Sequence, residues 1–228
     1  MTDPIRDHIL YEDDAVIVCR KQAGIPVQTA RTGQQDMVSL LKNYRAGKKE
    51  EPYIGLVHRL DQPVEGIILF AKTKQAATVL AKQVSERNID KYYYAVVWGK
   101  LEEPDGKLFD YLLKDGKTNC SAVVSKDTPG AKQAELSYHT LAETAEKSLL
   151  EICLKTGRHH QIRVQLSHAG HPIFGDSKYG ARPEAGYLPL ALCACRLGFT
   201  HPVTKKKMEF EIQPDGKAFL DFFPQSKK

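Results

Sequence analysis

Arg59 and Asp61 interrupt two apolar runs in the stretch YIGLVHRLDQPVEGIILFAKT, residues 53–73. The runs, residues 54–57 and 67–71, have the composition of core strands. A carboxylate between them has two readings. Asp commonly opens a turn, and Gln62 and Pro63 suit one. Strand ends are also where loops present functional groups on a rigid scaffold. Arg59 and Asp61 lie two apart, so on an extended chain they share a face. A second dense segment, TGRHHQIRVQLSHAGHPIFGDSKYG at 156–180, carries Arg158, His159, His160, Gln161, Arg163 and His168. On a helix, His159 and Arg163 sit at i and i+4 on one face. Basic residues at a helix N-terminus oppose the dipole, so the pattern predicts an anionic partner. Metal binding is the rival, because His159, His160, His168 and His171 are available. No H-E-x-x-H spacing accompanies them, and no Cys or carboxylate stands at useful spacing, so no metal is expected. The third segment is KYYYAVVWG, 91–99. As a strand it turns Tyr93 away from Tyr92 and Tyr94. Aromatic packing on a half-buried sheet would by itself account for the three tyrosines.

These groups need elements to hold them. Residues 8–27 read as a short strand, an acidic turn and a β-branched strand ending at Gly24 and Pro26. Residues 36–47 read as a helix with Asp36 as N-cap, an apolar face of Val38, Leu40, Leu41 and Tyr44, and Gly47 as stop. Two strands, 54–60 and 66–73, flank DQPVE. Thr73 is placed to cap a helix in which Ala76, Ala77, Leu80 and Val84 recur at helical spacing. Further strands are expected in KYYYAVVWG, KLFDYLLK, AELSYHTLAE, SLLEICLKT, LCACRLGF and KKMEFEI. The polar stretch 115–132 reads as a surface excursion. A helix is expected over 157–170, with Ile162, Leu166 and Ala169 on one side and Gly170 as stop, and a short one near 215–223. Strands outnumber helices and strict βαβ alternation is absent. The expected class is α+β, with a mixed, mainly antiparallel sheet and flanking helices. No internal repeat or low-complexity linker divides the chain, so one domain over 1–228 is expected.

The 228 residues are sufficient for a sizeable core, and the charge balance of +5 permits a polyanionic partner without requiring one. No apolar run is long enough to span a bilayer, and no secretory signal is visible, so a cytoplasmic chain without a membrane partner is expected. Five scattered cysteines make neither a disulfide framework nor a C-x-x-C metal site. Reduced thiols in a core are the expectation.

HRLD with Gly66 five residues past Asp61, then ILFAKT, KYYYAVVWG and TGRHHQIR followed by GHPIFGDSKYG, resembles the RluA-type RNA pseudouridine synthases. ILYEDDAVIVCRKQAGIPV and LPLALCACRLGFTHPVT add to the resemblance, which extends from residue 8 to about residue 224. It implies the pseudouridine synthase fold with a central catalytic cleft, and no separate S4-like RNA-binding domain. It implies isomerisation of uridine in rRNA or tRNA, the base attachment moving from N1 to C5. By motif match Asp61 is the catalytic carboxylate, Tyr93 stands beside the flipped base, and Arg163 pairs with Asp61. Arg59 fills the stack that the base leaves. His58, Lys91, Arg158, His160, Gln161 and Ile162 fall at RNA-binding positions. No cofactor is implied, RNA is the partner, and a monomer is expected.

The chemistry fits these residue types. Breaking an N-glycosidic bond develops positive character at C1′, which a carboxylate can stabilise or attack. An arginine partner favours the ionised form of a desolvated carboxylate. Unstacking a base takes a few kcal/mol, which an inserted side chain can offset. One departure touches the site. Family members commonly read RDTSG after the aspartate, whereas this chain reads QPVEG, so Gln62, Pro63, Val64 and Glu65 alter the loop beside Asp61 and point to altered specificity. QLSHAGHPI and LCA are smaller departures. Two other readings compete: an RNA-binding protein on the same scaffold, and a nucleosidase with Glu65 as its acid.

Overall fold

The computed structural model describes residues 5–31, 33–180 and 189–223. Its strands run in chain order as β1 (Ile9–Glu12), β2 (Val16–Lys21), β3 (Gly55–Leu56), β4 (Glu65–Ala71), β5 (Asp90–Trp98), β6 (Asp105–Asp115), β7 (Cys120–Val124), β8 (Lys132–Glu143), β9 (Lys147–Leu154), β10 (Leu192–Thr200) and β11 (Lys207–Glu211). The helices are α1 (Met37–Gly47), α2 (Lys74–Ser85) and α3 (Gln161–His168). The pairing of named strands is antiparallel wherever its register is resolved, and the α+β class holds. Two compact units divide the chain. The first comprises Met1–Asp90 with Ala194–Ile212, the second Lys91–Cys193 with Gln213–Lys228.

In the first unit the strand order is β1-β2-β4-β10, with β11 on β10 and β3 on β4. Asp13 closes the β1–β2 turn by accepting the Ala15 and Val16 N–H groups, each at 2.8 Å. All seven residues of β4 are buried, which is why residues 67–71 read as a continuous apolar run and not as an alternation. Ile67, Leu69 and Ala71 pack with Val18 of β2, Ala76 and Leu80 of α2, and Leu197 and Phe199 of β10. Both helix caps fall as expected. Asp36 accepts from Ser39 N–H at 2.7 Å and Thr73 from Ala76 N–H at 3.1 Å. Gly66 has φ +131°, and a Cβ there would lie 2.4 Å from the backbone nitrogen of Ala194. Only glycine admits both that torsion and that approach.

The strand expected over 54–60 is shorter than its composition suggests. Only Gly55 and Leu56 pair with β4. The Leu69 N–H donates to Nε2 of His58 at 3.1 Å, so an imidazole takes the place of a strand carbonyl there. The same-face argument for Arg59 and Asp61 therefore lapses, because neither lies in a strand.

The second unit is built on the order β5-β9-β8-β6-β7. Val164 of α3 packs on Leu112 of β6 and Ala134 of β8. Three expectations are corrected here. The polar stretch after β6 is a hairpin that contains β7. Asp115 accepts from the Lys117 N–H and the Thr118 hydroxyl, both at 2.8 Å, and Asn119 takes a left-handed φ of 51°. Helix α3 starts at Gln161, not at 157, because its N-cap His160 is left-handed with φ 55°. His159 precedes the helix and does not share a helical face with Arg163. The basic residues at 158–160 thus carry no dipole argument for an anion. The short helix expected near 215–223 is a 3-10 turn, Lys217–Phe219.

Candidate active site

Asp61 is half-buried in the turn between β3 and β4, and its carbonyl accepts from the Val64 N–H at 3.0 Å. The next residue ties that turn to the segment after β2. The Gln62 carbonyl accepts from the Gly24 N–H at 2.8 Å and from Lys21 Nζ at 3.0 Å. Its side-chain amide donates back to the Gly24 carbonyl at 2.9 Å. Lys21 is fully buried and also donates to the carbonyls of Gln22 and Ile25, at 2.9 and 2.8 Å. Burial lowers its ammonium to about 8, against the opposing fields of Asp61 and Glu65. A carboxylate, its turn and a buried cation thus form one built assembly. Lys21 escaped the sequence reading because a lysine at a strand end reads as solvated. Glu65 is buried in β4, with Arg20 at 4.0 Å. Arg59 is exposed and His58 half-buried.

The remaining predicted residues lie in the second unit. Tyr93, 7% exposed, stands opposite Ile152 of β9. Tyr92 and Tyr94 are half-buried, and the Tyr94 ring lies 5.3 Å from that of Phe223. The Tyr93 environment differs from that of its neighbours, as alternation requires. Lys91 packs near Gly157, where a Cβ would be 3.5 Å from its Nζ, and burial pulls its ammonium below the usual lysine range.

Arg163 is 4% exposed. Its Nε and Nη2 donate to the two oxygens of Asp176, both at 2.7 Å. Burial pushes the Asp176 carboxyl up, but the hydrogen bonds and charge of Arg163 outweigh it and hold the group below the usual range. Asp176 Oδ1 also accepts the N–H groups of Lys178 and Tyr179, at 2.9 and 3.1 Å. The Tyr179 ring lies 5.2 Å from the guanidinium carbon, and its hydroxyl is bonded to Ser121 N–H at 2.8 Å and to His160 Nδ1 at 2.7 Å. His160 stacks on His159 at 3.8 Å. Gln161 accepts from the Thr156 hydroxyl and the Arg158 N–H, at 2.8 and 3.0 Å, and donates to the Glu135 carbonyl at 3.1 Å. The Arg158 Nε donates to the Gln133 carbonyl at 2.8 Å, and Ile162 is buried. Asp176 and Tyr179 were not singled out from sequence, although both stand in the GDSKYG that carried the resemblance.

A family model described as RNA pseudouridylate synthase matches residues 15–168, a span that holds Asp61, Tyr93 and Arg163. The chain belongs to the RNA pseudouridylate synthase family. Over 211 residues it is 33% identical to the ribosomal large subunit pseudouridine synthase C of Vibrio vulnificus, covering 90% of this chain and 65% of that protein. Over 217 residues it is 34% identical to the uncharacterized RNA pseudouridine synthase YlyB of Bacillus subtilis, covering 92% and 70%. The chain thus spans about two thirds of the length of these pseudouridine synthases. The fold is shared with human RNA Pseudouridylate Synthase Domain Containing 4, at a TM-score of 0.77 and 24% identity over 92% of this chain and 90% of that one. Human RNA Pseudouridylate Synthase Domain Containing 1 gives 0.74 at 22% identity, over 90% and 82%. Among the described residues no helix is long and apolar enough to cross a membrane, and no group of three or more His, Cys, Asp or Glu is placed to hold a metal ion.

Proposed function

We propose that this chain isomerises uridine to pseudouridine in ribosomal or transfer RNA, as a monomeric, cytoplasmic catalyst that uses no cofactor. The observation that carries the reading is that the family match runs through the turn in which Asp61 is anchored. A carboxylate held in place before the substrate arrives needs little reorganisation during reaction.

In this reading the target base leaves the RNA stack and Arg59 occupies the gap. The N1–C1′ bond breaks with Asp61 stabilising or capturing the sugar carbon. The base turns, C5 bonds to C1′, the C5 proton is lost and N1 gains one. Tyr93 stacks on the base and serves proton movement at the sugar. Arg163 is the arginine that the motif match assigns as the partner of Asp61. His58, Lys91, Arg158, His160, Gln161 and Ile162 form and support the RNA-facing surface. A nucleosidase would need a second carboxylate as acid. Glu65 is the near one, and its burial beside Arg20 speaks against that role.

RNA tritiated at uridine C5 tests the proposal. Isomerisation releases tritium and leaves the RNA mass otherwise unchanged. Free uracil would establish a nucleosidase, and binding without tritium release would leave only an RNA-binding scaffold.

A further inference from the structure

An arginine that serves the reaction through its charge must also be aimed. In the second unit that task has an obvious holder. Asp176 has no exposed side-chain surface and grips the Nε–Nη2 edge of the guanidinium through two parallel bonds of 2.7 Å. A planar fork held at two points cannot rotate about its stem, which a single ionic contact would allow. The carboxylate is itself fixed, because the backbone N–H groups of Lys178 and Tyr179 hold its Oδ1. Tyr179 adds its ring on one side of the fork, and its hydroxyl is anchored at Ser121 of β7 and at His160 ahead of α3. The grip therefore reaches from the helix that carries Arg163 to the hairpin beside it.

We infer that Asp176 is a positioning residue that fixes the Arg163 guanidinium in the orientation the isomerisation uses. The inference rests on the function proposed above. Asp176 acts through Arg163 and does not touch the RNA. A buried pair of this kind can also be a plain stabilising contact, so the test must separate aim from stability.

Asp176→Asn keeps the shape and the Oδ1 acceptor but loses the charge and the second ionic bond. Per folded molecule, kcat for tritium release should fall by roughly ten- to a hundredfold, as for a misplaced catalytic group, while KM for the RNA stays within about twofold. The same substitution is then made in an Arg163→Lys background. Lysine keeps a charge but has no fork to aim, so Asp176→Asn should there lower kcat by less than about threefold. Asp176→Glu covers the case in which the Asn variant does not fold. It keeps the ion pair while moving the fork, and should also lower kcat with KM unchanged. The inference is overturned if the folded Asn or Glu variant turns over at the parental rate. It is equally overturned if the loss recurs in full in the Arg163→Lys background, which would mark Asp176 as merely structural. A parent chain that releases no tritium would instead sink the proposed function, and this inference with it.

Discussion

Lys21 reaches the turn of Asp61 through a single carbonyl, that of Gln62, which its ammonium meets at 3.0 Å. The same ammonium holds two further carbonyls. A fully buried lysine here is a fastener for the loop that carries the candidate carboxylate.

Replacing Lys21 with Met should strand those carbonyls and cost about 2–4 kcal/mol of stability at neutral pH. The pH dependence has a definite sign. Burial lowers the folded-state value to about 8, well below the unfolded ~10.4. The penalty for burying the charge is therefore present in full below about pH 8. It is relieved as pH rises between the two values, at up to ~1.4 kcal/mol per unit. The parent gains this relief and the Met variant does not. Urea unfolding at pH 7, 8 and 9 should show the gap between them widening with pH, and a gap that narrows would remove Lys21 from this role.

Tyr93→Phe should reduce tritium release far more than Tyr92→Phe or Tyr94→Phe, on the order of a hundredfold against less than threefold. Tyr94 packs on Phe223, and Tyr92 shares its side of the strand, whereas Tyr93 is turned the other way. Equal losses in all three would assign the tyrosines to packing alone.

Gly66→Ala should lower stability by about 2–4 kcal/mol, combining a torsion that L residues avoid with a Cβ driven into the Ala194 backbone. Thermal melting of the purified variant reads this directly. An unchanged melting temperature would show that β10 can yield at Ala194.

Asp61→Asn should cut turnover at least a hundredfold while leaving the melting temperature within a few degrees. Asn keeps the size and the turn-forming habit of Asp but carries no charge. The groups that fasten the turn belong to Lys21, Gly24 and Gln62 and are untouched. Parental turnover by this variant would end the assignment of Asp61.

What could be read from sequence was whatever is decided within a few residues. Asp36 and Thr73 cap their helices through bonds to N–H groups three residues on, so the local string suffices to place them. The burial of residues 67–71 in β4 was equally plain from its apolar run, whereas that of Glu65 was not. What escaped depends on distant partners. Residues 57–60 have strand composition, yet His58 takes the Leu69 N–H with its ring and ends the pairing early. The Arg163–Asp176 clamp closes across a loop that no helical or strand period describes. Nothing local singles out Lys21, because its three acceptors are carbonyls, and carbonyls are present at every position of any chain. Sequence marked Asp61 and Arg163 as candidates, and it was silent on Lys21 and Asp176, which hold their surroundings still.

The glycine of β4 has one more implication. Its close neighbour, Ala194, opens the later of the two stretches that make up the first unit, and the whole of Lys91–Cys193 is synthesised between them. As the chain leaves the ribosome, the apolar β4 emerges early and must wait for β10. The middle unit, drawn mainly from contiguous chain, is free to close while it waits. Pairing across so long an interval is slow, and the edge of β4 that awaits β10 invites contact with other chains in the meantime. Biogenesis of this protein should therefore run from the middle outward, with nascent chains halted before residue 194 the form most in need of a chaperone.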